Sequence, residues 1–279
     1  MRRPAFGPAS DAARHRSTAI SVGAVTDREV PLLGGNVSLG LVRVGDTVRR
    51  PSGPWSPSVH HFLSHLNNVG YEGAPKSFGF DEQGRHVVEY VQGDVSMPFQ
   101  APDLNSAMQR VGKLLRDLHD ASAEYVPPDD AVWNIVIPAD RCDLIIHHDA
   151  APWNLVLNAY RWVLIDWDAT APGSRLWDLA YAAHGFIPLA PDTSPSAAGR
   201  LLAAIADGYG LTDEQRAELS ALLAPRIWSM YRLLADGHSN SVEPWARLWS
   251  EGHGETWRSD AEYVEQHHRP FLAAVLNSG

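Results

Sequence analysis

Two short segments of the 279-residue chain carry side chains that could do chemistry together. The first is Ile145-Ile146-His147-His148-Asp149-Ala150-Ala151-Pro152-Trp153-Asn154-Leu155-Val156-Leu157, an apolar run that breaks into a polar loop and then resumes. The second is Trp162-Val163-Leu164-Ile165-Asp166-Trp167-Asp168, in which an acid ends another apolar run. Read as strands joined by a hairpin, they let the Asp166 carboxylate meet Asn154. Phosphoryl transfer needs this set. One Asp can accept or orient the proton of an attacking hydroxyl, and an Asn and a second Asp can offer hard oxygens to magnesium. The protein otherwise positions groups and neutralises charge.

The elements that must hold these residues fall into two halves. From about Val22 to Val91 the pattern is short and strand-like. Val37–Val44 and Thr47–Arg49 flank the turn Gly45-Asp46, and Ser77–Phe80 and His86–Val91 flank Asp81–Gly84, which reads as two hairpins. Pro51, Pro54 and Pro57 argue against regular structure between them. Val59, Phe62, Leu63 and Leu66 then follow at helical spacing, closed by Gly70. From Ser96 onward helices dominate: 104–121 with Asp103 as its cap, 177–183, 195–209, 212–236 and 260–276. The expected organisation is a mobile tail over 1–21, a small strand-rich lobe over 22–92 and a larger helical lobe over 93–279. Gln92-Gly93-Asp94 is the joint, and a cleft between lobes is a preferred ligand site.

Composition narrows the classes. Hydrophobic residues are 44% and charged residues 20%, ordinary values for a globular chain of this length. A single cysteine, Cys142, excludes an intrachain disulfide framework and fits a cytoplasmic setting. The net charge of -10 speaks against a nucleic-acid footprint. No stretch approaches the roughly 18 apolar residues that span a bilayer. The arginines at 2, 3, 14 and 16 are not followed by the apolar run of a signal peptide, so no membrane partner is expected.

His147-x-Asp149-x-x-x-x-Asn154 followed by Ile165-Asp166-Trp167-Asp168 resembles the aminoglycoside phosphotransferase and choline kinase family. These are small-molecule relatives of the protein kinases. The resemblance implies a bilobal, protein-kinase-like α+β fold. It also implies transfer of the γ-phosphate of ATP or GTP, with Mg2+, to a hydroxyl of a small molecule. Asp149 takes the role of base, His147 orients it, and Asn154 and Asp166 hold metal. Arg175-Leu176-Trp177-Asp178-Leu179-Ala180 looks like the family's Asp-Leu-Ala helix start, with Asp178 tying that helix to the catalytic loop. Leu33-Gly34-Gly35-Asn36-Val37-Ser38 looks like the glycine loop over the phosphates, so Gly34, Gly35, Asn36 and Ser38 are nucleotide candidates. In Val88-Glu89-Tyr90-Val91-Gln92-Gly93, which looks like the hinge, the backbone of Glu89 and Val91 would meet the base.

Two departures stand out. Where the family often has a phosphate-pairing Lys, this chain has Val48-Arg49-Arg50-Pro51. Arg49 is the first candidate and Arg50 the alternative. The next helix carries no acid to pair with it. His148 reads either as a substrate contact or as a solvated loop residue. Asp168 reads as a second metal or substrate residue or as a structural hydrogen-bonding group. The expected function is phosphorylation of an aminoglycoside or another sugar or nucleoside antibiotic, for resistance or self-protection. The alternatives are a choline- or sugar-type metabolite kinase and a non-catalytic kinase-fold immunity protein that binds a toxin or partner.

Overall fold

Period-2 alternation in the front third produces a five-stranded antiparallel sheet in the computed structural model, which describes residues 28–32, 40–95 and 103–277. Its strands are β1 (Val30–Pro31), β2 (Val42–Val44), β3 (Thr47–Arg50), β4 (Ser77–Phe80) and β5 (His86–Glu89), in the order β1-β2-β3-β5-β4. β3 pairs with β5 with Val48 opposite Val88 and Arg50 opposite His86. Adjacent residues of a strand face opposite sides, so Arg49 and Arg50 cannot both reach one cleft.

Between β3 and β4 runs α1 (Ser56–Asn68), which buries Val59, Phe62, Leu63 and Leu66. The sequence argued against regular structure through Pro57, yet Pro57 lies inside this helix. It occupies the first turn, where a missing N–H costs no hydrogen bond and a fixed φ favours the helix.

At the joint, Gly93 is required by close approach. A Cβ there would lie 2.4 Å from the Leu157 carbonyl oxygen. The next strand, β6 (Asp94–Val95), pairs with β8 (Leu155–Leu157), which pairs with β9 (Trp162–Leu164). β7 (Leu144–Ile146) pairs with β10 (Ala171–Gly173). These two small sheets carry the polar loop between them.

The rear is helical. It comprises α2 (Leu104–Ser122), α3 (Arg175–Phe186), α4 (Pro195–Tyr209), α5 (Asp213–Ser239), α6 (Trp245–Ser250), α7 (His253–Gln266) and α8 (His268–Leu276). The caps follow local chemistry. Asp103 accepts from the N–H groups of Asn105 and Ser106, Ser174 from that of Trp177, and Thr212 forms a capping box with Gln215. The expected single helix over 260–276 is two, broken at His267. Pro270 explains the break, because its ring excludes a continuous helix at the carbonyl four residues earlier, that of Gln266, where α7 ends.

One apolar core joins the parts. Leu115 and Leu118 of α2, Leu202 and Ile205 of α4, Phe271 of α8 and Phe62 of α1 are each almost fully buried. Each such side chain contributes on the order of 1.5–3 kcal/mol. α2 and α4 touch backbone to backbone at Gly208, where a Cβ would sit 1.9 Å from the Gln109 carbonyl oxygen.

Candidate active site

The sheet and the helical half enclose a cleft of about 380 Å³. Val48 and Val88 line it from the sheet, and Val156 and Ile165 from the β8–β9 side. Its polar end holds Arg50, Asn154, Asp166 and Asp168, and Trp153, 50% exposed, stands at the edge.

The loop after β7 is built around a buried carboxylate. Asp178, in the first turn of α3, is fully buried and accepts from the main-chain N–H of His147 (3.2 Å) and of His148 (2.8 Å), and from Nε2 of His119 (3.1 Å). Burial alone would push its pKa up. The hydrogen bond and charge of His119, with His147 and His148, outweigh that and hold it at about 2. These bonds fix His148 in the left-handed region (φ 66°), which costs a non-glycine residue on the order of 1–3 kcal/mol.

His147 is buried against Trp167, ring centroids 4.5 Å apart. Its Nε2–H donates to the Ile165 carbonyl (3.2 Å) and its Nδ1 accepts from the Asp149 N–H (3.2 Å), so the two bonds select one neutral tautomer. Burial holds His147 below the usual histidine pKa. The imidazole thereby ties the first motif to the second.

Both oxygens of Asp149 are held. Tyr181 Oη donates to Oδ1 (2.6 Å), while Asn154 Nδ2 donates to Oδ2 (2.8 Å) and to the Asp149 carbonyl (3.0 Å). Burial pushes the Asp149 pKa up to about 6; the Tyr181 bond opposes this and the Asp166 charge adds to it. At neutral pH Asp149 is an ionised acceptor with a pKa near the working range of a general base.

Asn154 ends a short 3-10 turn over Pro152–Asn154, and its carbonyl accepts from the Ile165 N–H (2.8 Å). Across this contact Asp166 sits in the left-handed region (φ 62°, ψ 66°). Its carboxylate is paired with Arg50, and Arg50 Nη2 also donates to Asp168 (2.8 Å). Burial opposes the Arg50 charge, but Asp166 and Asp168 raise its pKa and keep it cationic.

The amide oxygen of Asn154 and the carboxylate of Asp166 are hard donors that suit magnesium, with Asp168 near by. Among the described residues no group of three or more His, Cys, Asp or Glu side chains forms a closed cage. Magnesium needs none, since it typically takes one or two carboxylates and completes its shell with phosphate and water.

Several expectations change here. Arg49, the first phosphate candidate, faces away from this end. It donates to Thr47 Oγ1 and lies 3.6 Å from the Asp81 carboxylate, so Arg50 is the arginine in the cleft. His148 is not a solvated loop residue. Its ring is buried and donates to the Pro172 carbonyl (3.2 Å). Glu89 and Val91 both line the cleft, yet the Glu89 N–H is spent on the Lys76 carbonyl (2.8 Å) and its carboxylate on Arg161. Gly34, Gly35, Asn36 and Ser38 lie outside the described residues.

The sequence reading missed three contributors. Tyr181 lies one turn after Asp178 on α3, and that spacing could have suggested it faces the same loop. Arg226 of α5 is buried. Its guanidinium lies 4.3 Å from the Tyr181 ring centroid and donates to the His148 carbonyl (3.2 Å). His119 of α2 joins Asp178 to the Tyr209 hydroxyl (2.8 Å).

Comparison with known proteins gives the family and the fold. A profile of the phosphotransferase enzyme family matches residues 132–222, which span the loop, both motifs and α3. A trifolitoxin immunity protein of Rhizobium leguminosarum bv. trifolii is 30% identical over 267 residues, covering 89% of this chain and 98% of the relative. The chain belongs to the phosphotransferase enzyme family. Solved structures show that this chain has a protein-kinase-like fold. An amicoumacin kinase in complex with AMP-PNP, Ca2+ and Ami superposes with a TM-score of 0.64 at 13% identity, over 85% of this chain and 88% of that one. A choline/ethanolamine kinase family protein of Mesorhizobium loti gives a TM-score of 0.60 at 18% identity, over 91% and 94%. The GDP complex of aminoglycoside 2'-phosphotransferase-IIIa gives 0.54 at 13% identity, over 88% and 94%. No helix among the described residues is long and apolar enough to cross a membrane.

Proposed function

We propose that this phosphotransferase moves the γ-phosphate of ATP or GTP to a hydroxyl of an antibiotic-like small molecule, in the service of self-protection. The observation that carries the reading is Asn154 and Asp166 at the polar end of an otherwise apolar cleft, with Asp149 hydrogen-bonded to Asn154. The apolar part suits a nucleotide base, and Arg50 supplies positive charge toward its phosphates. Magnesium, held by Asn154 and Asp166, would neutralise phosphate charge when bound. Asp149, fixed by Tyr181 and Asn154, orients the acceptor hydroxyl and takes its proton. The acceptor oxygen forms a bond to the γ-phosphorus as the bond to the β-phosphate oxygen breaks, and the nucleoside diphosphate leaves.

The neighbours support the class of reaction. One is a kinase bound to AMP-PNP, Ca2+ and Ami, and another is an aminoglycoside phosphotransferase bound to GDP. A second reading, a non-catalytic immunity protein, is favoured by the name of the 30% identical relative. Retention of Asp149, Asn154 and Asp166 together favours turnover, since binding alone would not require them.

The test is a mass-spectrometric transfer assay with Mg2+, ATP or GTP, and a pooled panel of aminoglycosides, nucleoside antibiotics and simple alcohols. A panel member that gains one phosphate, at a rate dependent on Asp149, is the expected result. Tight nucleotide binding without product for any hydroxyl compound, toxin peptides included, would favour the second reading.

A further inference from the structure

A guanidinium buried at the polar end of this cleft must have a partner, because an unpaired buried charge is strongly destabilising. The adjacent helix α1 supplies none, as its sequence Ser-Pro-Ser-Val-His-His-Phe-Leu-Ser-His-Leu-Asn-Asn has no acid. His86 lies opposite Arg50 on β5 and lines the same cleft. Burial, and then the Arg50 charge, pull its pKa down to about 4, so it brings no charge at neutral pH. The partners come instead from across the cleft, where one nitrogen of Arg50 meets both Asp166 and Asp168.

The two acids are not equivalent. Asp166 stands in the left-handed region, next to the Ile165–Asn154 contact, and under the phosphotransferase reading it would hold the metal with Asn154. Asp168 belongs to the next short 3-10 turn (Trp167–Ala169). Trp167 anchors that turn. It is buried, donates from Nε1 to the Leu164 carbonyl (2.8 Å), and packs on Phe62 of α1, ring centroids 6.1 Å apart. Asp168 is thus seated on a rigid support with its carboxylate 2.8 Å from Arg50.

We infer that Asp168 is the positioning residue for Arg50: it holds the guanidinium over the cleft while Asp166 serves the metal. This rests on the phosphotransferase reading above. It also gives a reason for arginine at position 50. A guanidinium has five donors in a planar fork, so it can keep a carboxylate on one edge and offer another to phosphate. Among the described residues lining the cleft, Arg50 is the one permanently charged base. Lys76 and Lys113, the chain's lysines, lie elsewhere.

The assignment has an electrostatic signature. With Arg50 present, Asp168 helps phosphate by orienting it. Without Arg50, Asp168 is only a negative charge beside the phosphates. The experiment is a double-mutant cycle on the full chain, read as the Kd of fluorescent ATP and GTP analogues with Mg2+ and with EDTA. Arg50→Met is expected to weaken binding about tenfold or more, the scale of a lost hydrogen bond to a charged group. Asp168→Asn should weaken binding severalfold in the wild-type background, and should leave it unchanged or tighter in the Arg50→Met background. The Mg2+ concentration for half-saturation should not move with Asp168→Asn. Arg50→Lys, which keeps the charge and loses the fork, provides a second cycle if Arg50→Met does not fold. Equal effects of Asp168→Asn in both backgrounds would overturn the assignment. So would a raised Mg2+ requirement, which would make Asp168 a metal ligand. A wild-type chain that binds neither analogue would instead remove the phosphotransferase reading, and this inference with it.

Discussion

Tyr181→Phe is the sharpest small perturbation of the site. It removes one oxygen atom, the donor 2.6 Å from Asp149 Oδ1, and keeps the buried ring that stacks under Arg226. A hydrogen bond to a charged group is worth about 1.5–3 kcal/mol. At 1.36 kcal/mol per pH unit, losing it raises the Asp149 pKa by about 1 to 2 units. In the wild type burial sets that pKa at about 6, with the Tyr181 bond holding it down. The sign is therefore upward, and more of the variant is protonated at any pH below neutrality. The assay is the pH profile of phosphate transfer, or of nucleotide hydrolysis with water as acceptor. At pH 6.5 the variant should turn over about tenfold more slowly, and by pH 9 most of the gap should close, since both carboxylates are then ionised. Nucleotide Kd should not change. A loss of equal size at every pH, with the acid limb unmoved, would refute the claim that Tyr181 acts on Asp149.

Two further outcomes concern the scaffold. Asp178→Asn removes a carboxylate that holds the His147 and His148 N–H groups and His119; urea unfolding at pH 7 should show about 3 kcal/mol of lost stability. Because the folded pKa of Asp178 is depressed to about 2, its contribution is fully present above the unfolded carboxylate value near 4. The wild-type advantage should therefore shrink only as pH falls from 4 toward 2, and an advantage that fades already between pH 7 and 5 would contradict the assignment. Gly208→Ala forces a Cβ to within 1.9 Å of the Gln109 carbonyl oxygen, so thermal unfolding should shift down by about 5 °C, and an unchanged Tm would mean that α2 and α4 do not pack this closely.

Much of this arrangement can be read from local signals. Asp103, Thr212 and Ser174 act at helix starts over three residues or fewer, and the β4–β5 hairpin needs only its own alternation and turn. The Asp149-x-x-x-x-Asn154 spacing survives because one short 3-10 turn closes it. What stayed hidden depends on long-range pairing. Neighbouring arginines on β3 are indistinguishable until the register with β5 decides which one faces the cleft, and that choice reversed the order of Arg49 and Arg50. Arg226 reaches the loop from 78 residues away, and His119 meets Asp178 across 59. No local pattern marks such pairs. The buried ring of His148 was illegible for the same reason, since its partner, the Pro172 carbonyl, belongs to β10. Pro57 and Pro270 show that position decides what proline does: in a first turn it fits, whereas four residues past a carbonyl it ends the preceding helix.

The central claim is that Asp149 is the group on which phosphate transfer depends. It is tested most directly by Asp149→Asn, which keeps the shape of the side chain and removes its charge. Wild type and variant would be compared in one experiment, with nucleotide affinity measured by calorimetry and phosphate gain on the acceptor panel by mass spectrometry. The account predicts comparable Mg2+-nucleotide binding in both and a fall of at least about a hundredfold in transfer for the variant. Transfer at the wild-type rate by Asp149→Asn would contradict it.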